Sequence, residues 1–171
     1  SVMGVDGNGI AYPDRYEVHT IWPRDGHETV HVVLIAALGS GPVLFDEGVA
    51  VACQVDPVAG DFVPRWNGHG VHDLAREAWV QGHVPPLADL IASESSFRGF
   101  PEEVAYPLAG SFVRWLIDTR GVEPAKRIFR EMRRPDDAAT VRTKFRAIYG
   151  IELDDAWNEW RLYLTASVSR R

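Results

Sequence analysis

The sequence predicts a mainly helical domain with a few short strands near its start, and three observations predict it. Four stretches in the second half, residues 102–119, 122–133, 137–149 and 154–167, carry apolar side chains at the three- and four-residue spacing of helix faces, with Gly121 and Gly150 as stops between them. Two further apolar runs in the first third, 25–38 and 43–52, also read as helices and are divided by the helix-breaking Gly39-Ser40-Gly41-Pro42. Strand-like alternation is confined to 16–22, where Pro23 ends it. With 171 residues, 46% of them hydrophobic, the chain suits a single domain spanning 1–171 with a real core.

Charge and composition narrow the class. The formal net charge is −6. No apolar run approaches the roughly 20 residues of a membrane span, and the first residues lack the basic-then-apolar secretory pattern. A soluble chain is therefore expected, cytoplasmic or exported after processing. Cys53 is the sole cysteine, which excludes an internal disulfide and is expected to be a small buried thiol. Residues 114–146 hold ten Lys or Arg against five Asp or Glu, whereas 1–113 hold five against fifteen. Those basic residues sit at helical spacing and alternate with acids, which predicts a solvated helix face and no nucleic-acid surface.

Taken in order, residues 1–13 are rich in turn signals and read as loop or short hairpin. Asp6 and Asn8 match the start of a calcium loop, but the glutamate required at its twelfth position is missing. The strand at 16–22 immediately precedes the first helix. It is a candidate edge for adding a substrate backbone, or else a plain sheet edge. The helix at 25–38, with Asp25 as N-cap, contains His27-Glu28-x-x-His31. Four residues apart on a helix, His27 and His31 occupy one face and can reach one cation, with Glu28 standing beside it as a candidate general base. The helix at 43–52 carries Asp46 and Glu47. A carboxylate added to two imidazoles leaves a tetrahedral zinc one open position, and Glu47 is the preferred third ligand, with Asp46 its rival or a partner further out. The Pro/Gly-rich run 56–70 is too apolar and aromatic for a tether. Its Phe62 and Trp66 either line a pocket or anchor the loop. His69, His72 and His83 fall outside tight ligand spacing and read as surface or satisfied histidines, and His19 is a candidate outer partner of the site.

These residues carry a family resemblance. His27-Glu28-x-x-His31 followed by Asp46-Glu47-Gly48-x-Ala50 resembles the glutamate zincins, in particular the bacterial peptidase MA-like domains related to the aminopeptidase-N type. Residues 71–97 with Gly82-His83-Val84-Pro85-Pro86-Leu87, the Tyr106-led helix of 105–116 and the Trp-bearing 153–160 resemble later family segments in family order. The resemblance implies a zincin-like α+β fold, reduced, with part of an upstream sheet or domain outside this chain. It implies zinc held by His27, His31 and Glu47, Glu28 as general base, and Tyr106 as a hydroxyl donor to the oxyanion. It implies a metallopeptidase acting on peptide or protein substrates, the alternatives being a non-catalytic peptide- or partner-binding module and a non-peptide metallohydrolase. The stretch Gly-Ala-Met-Glu-Asn that holds a substrate amine in aminopeptidases is missing, so amino-end specificity is not implied.

Overall fold

The computed structural model describes residues 9–21, 26–54 and 63–166. Their order is β1 (Gly9–Tyr12), β2 (Glu17–Thr20), α1 (Gly26–Leu38), α2 (Val43–Cys53), β3 (Arg65–Trp66), β4 (His69–Gly70), α3 (Val71–Gln81), α4 (Leu87–Ala92), α5 (Glu94–Arg98), α6 (Glu102–Arg120), α7 (Val122–Glu131), α8 (Ala138–Tyr149) and α9 (Leu153–Ala166). The domain is mainly helical with short antiparallel strands near the N-terminus. Among the described residues, no helix is long and apolar enough to cross a membrane.

Two helices form the centre. α2 is buried from Val43 to Ala52 on every side, and α6 is buried from Ala105 to Val113 and again at Trp115 and Leu116. A helix apolar all round can be satisfied only inside a core. The two cross at a pair of glycines. A Cβ on Gly48 would stand 2.6 Å from Val113 Cγ2 and 2.8 Å from the Ala109 carbonyl oxygen, and one on Gly110 would stand 2.7 Å from Val51 Cβ. Only hydrogen at those positions lets the backbones come this near. Around the pair, α3 and α9 close one side through Trp79, Trp157 and Trp160, whose rings meet one another or Phe112 of α6 edge-on or tilted. α4, α7 and α8 contribute Leu90, Ile91, Ile128, Phe129 and Phe145 to the same core.

α1 packs on α2 and carries the β1–β2 hairpin. The strand expected at 16–22 is shorter, Glu17–Thr20, and its partner Gly9–Tyr12 falls where loop or hairpin was expected, paired from Gly9 opposite Thr20 to Tyr12 opposite Glu17. Trp22, Asp25 and Phe62 lie outside the described residues. α7 ends at Glu131, two residues earlier than the periodicity predicts, because Arg133 takes over its open end. Its Nη1 donates to the carbonyls of Phe129, Arg130 and Met132, which a further turn would otherwise have to satisfy. Cys53 is exposed, contrary to the buried thiol expected, since it is the last residue of α2, just past the buried run that ends at Ala52.

Candidate metal centre

The site forms where the start of α1 faces the first turns of α2. One helical turn apart, His27 and His31 meet edge-on with ring centroids 4.8 Å apart. Their Nε2 atoms are separated by 3.2 Å, and each lies 3.2 Å from Glu47 Oε2. Ligand atoms about 2.0–2.1 Å from a tetrahedral zinc stand roughly 3.3–3.4 Å apart. The triangle therefore has the size of one face of that tetrahedron. Hydrogen bonding accounts for it poorly, because each atom faces two partners at once and no N–H can point straight at both. Two imidazole nitrogens and one carboxylate oxygen are also the donor set of an open zinc site. The residues present fit the ion.

Asp46, next in sequence to Glu47, is fully buried and turns toward the back of His31, with Oδ1 3.6 Å from Nδ1. That carboxylate attracts a proton on Nδ1 and leaves the Nε2 lone pair for the cation, the usual role of an acid behind a ligating histidine. Arg134 Nη2 donates to the other Asp46 oxygen. His27 Nδ1 has no hydrogen-bond partner among the described residues. Burial opposes a charged His31, but the Asp46 and Glu47 carboxylates outweigh it and raise the pKa to about 10. Burial likewise opposes ionised Glu47, yet the two imidazoles hold it well below the usual carboxylate range.

Tyr106 projects from the second turn of α6, its ring centroid 5.9 Å from that of His27. Trp66 stacks on it at 4.9 Å and meets His27 edge-on at 6.1 Å, forming a wall over both. A tight turn presents that wall. Asn67 and Gly68, both at positive φ (49° and 83°), join β3 to β4 as a two-residue hairpin loop demands. Glu28 is partly buried on α1, and its charge adds to the burial and the Glu47 charge that push the Tyr106 phenol upward.

The structure adds a residue that the sequence did not single out. Arg98, at the end of α5, donates from Nη1 to Tyr106 Oη at 2.9 Å, from Nη2 to Glu47 Oε1 at 3.2 Å and from Nε to Glu94 Oε1 at 3.0 Å. Glu94 also accepts from Arg134 Nη1 at 2.7 Å. Asp46, Arg134, Glu94, Arg98 and Glu47 thus form a run of alternating charge. In sequence, Glu94 and Arg98 look like an ordinary surface pair four residues apart. Arg134, expected on a solvated helix face, turns inward from the α7–α8 connection.

The remaining histidines stand apart from the triangle. His72 Nδ1 lies 2.8 Å from Ser111 Oγ, which accepts from Trp160 Nε1 at 3.0 Å. Burial lowers the His72 pKa. His69 and His83 are exposed. His19, weighed as an outer partner of the site, instead pairs with Glu17 at 3.2 Å and packs edge-on against Tyr12, because it sits on the exposed face of β2. No protein-family model, curated protein or solved structure matches the chain.

Proposed function

We propose that the protein is a zinc-dependent peptide hydrolase of the zincin kind. The observation that carries the reading is the triangle of His27 Nε2, His31 Nε2 and Glu47 Oε2 at 3.2 Å on each edge, with the Tyr106 ring 5.9 Å from that of His27 and Glu28 next to His27 in sequence on α1. A zinc ion held there would polarise a peptide carbonyl and acidify a water near neutral pH. The chain's own groups supply the rest. Glu28 accepts a proton from the attacking water and passes it to the departing amine nitrogen. Tyr106, kept protonated by its raised pKa, donates its phenol hydrogen to the carbonyl oxygen as negative charge develops there. Trp66 shields one side of the site from solvent and holds the Tyr106 ring flat against itself. A peptide or protein is the substrate class, and the hairpin β1–β2 on α1 is the sheet edge available near the site.

The test compares three proteins. The wild type is expected to carry about one zinc per chain and to cleave members of a mixed peptide library. Glu28→Gln keeps the shape of the side chain but cannot take a proton, so zinc is retained and turnover falls by about 100-fold or more. His27→Ala loses the zinc and the activity together. Cleavage undiminished in Glu28→Gln but abolished in His27→Ala would place the base elsewhere. Zinc binding with no hydrolysis in any form would make the protein a binding module.

A further inference from the structure

We infer that Arg98 is a positioning residue that restricts Glu47 to a single ligating oxygen and sets Tyr106 in register with it, an inference that rests on the zinc-hydrolase reading. Glu47 Oε2 is the atom equidistant from both imidazoles, while Oε1 is engaged by Arg98 Nη2 at 3.2 Å. A carboxylate with both oxygens at liberty can turn to chelate a cation and fill the fourth position, which catalysis needs open. The guanidinium prevents that turn. The same group donates from Nη1 to Tyr106 Oη at 2.9 Å. That bond uses a lone pair of the phenol and leaves its proton free to be given to substrate.

Glu47 belongs to α2 and Tyr106 to α6, so one planar fork fixes the spacing between groups on different helices. Lysine, with a compact ammonium, has no such fork. Arg98 is itself held from behind. Its Nε donates to Glu94 Oε1 at 3.0 Å, and Arg134 holds the other Glu94 oxygen at 2.7 Å. The Arg98 side chain is 50% exposed, so truncating it opens no cavity in the core.

The experiment replaces the metal with cobalt(II), whose visible bands are strong in four-coordination and weaken as coordination number rises. Wild type, Arg98→Ala and Arg98→Lys are compared for cobalt spectrum, metal affinity, kcat and KM. In Arg98→Ala the bands are expected to lose intensity as Glu47 takes up the cation through both oxygens, and kcat to fall about 10- to 100-fold with a smaller change in KM. Arg98→Lys is expected to recover only part of either signal. An unchanged cobalt spectrum in a folded Arg98→Ala overturns the inference, whatever happens to kcat, and leaves the hydrolase reading standing. A wild type that takes up neither zinc nor cobalt overturns both.

Discussion

Replacing Gly48 with alanine tests whether the approach of α2 to α6 is what sets the site. The added Cβ would sit 2.6 Å from Val113 Cγ2, 2.8 Å from the Ala109 carbonyl oxygen and 3.1 Å from its carbon. Ordinary carbon contacts lie at about 3.5–4.0 Å, so roughly 1 Å must be found. The Val113 methyl can yield, but the Ala109 carbonyl is helix backbone and moves only if the whole of α6 moves. Overpacking of this kind costs about 1–3 kcal/mol, against which the better helix propensity of alanine returns at most about 1 kcal/mol. For a chain of this size the net lowers the melting temperature by several degrees, at roughly 2–4 °C per kcal/mol. Gly110→Ala meets only the Val51 side chain closely, with Ala52 N no nearer than 3.7 Å. In Gly110→Ala/Val51→Ala the Val51 Cγ1 contact goes but the 2.7 Å contact with Val51 Cβ, which alanine keeps, remains, so the double variant regains only part of the loss, and no side-chain trim removes the Ala109 backbone contact in Gly48→Ala. The assay is thermal and urea unfolding of the four proteins. Gly48→Ala as stable as wild type, or more stable, would refute the argument, because propensity would then have outweighed a contact that the backbone cannot avoid.

Tyr106→Phe is expected to leave the fold and zinc content intact and to slow peptide turnover about 100-fold, since one hydroxyl donor is removed; unchanged turnover would return the phenol to a packing role. Ser111→Ala strips Trp160 Nε1 and His72 Nδ1 of their shared partner in the core and is expected to cost about 1–3 kcal/mol in urea unfolding. His72 contributes one part of the pH dependence of stability, below neutral pH. Burial lowers its folded pKa below the ordinary 6.5, so its contribution is present above about that pH and is lost as pH falls toward the folded value. His72→Gln should flatten that slope, and an unaltered slope would mean another group titrates there.

Local periodicity made α1 and α2 readable, and with them the His27, His31 and Glu47 cluster, because two histidines four apart on one helix and an acid on the next form a pattern that a sequence displays directly. Tyr106 was reachable only through resemblance, since nothing near it in sequence speaks of a metal. Arg98 and Arg134 escaped altogether. Their partners Glu47 and Asp46 lie 51 and 88 residues away, and the pair Glu94–Arg98, four apart on a short helix, carries the pattern of an ordinary surface ion pair. β1 escaped for a different reason: Gly9-Ile10-Ala11-Tyr12 is too short to show alternation, and only its pairing with β2 makes it a strand. Cys53 was misjudged because composition says that cysteines are usually buried, whereas its exposure depends on where α2 emerges from the core.

The alternating run from Asp46 to Glu47 through Arg134, Glu94 and Arg98 has a consequence for the order in which a newly made chain becomes competent. The three candidate ligands all lie within residues 27–47, on two consecutive helices separated by a short loop, but α2 finds its core only against α6. The phenol of Tyr106 and the groups that hold it, Asp46 and Glu47 come much later, Tyr106 from α6, Arg98 from α5 and Arg134 from the connection before α8. On the proposed reading the site is complete only once α5, α6 and the connection before α8 have folded onto α2, so a chain still emerging would not cut its neighbours.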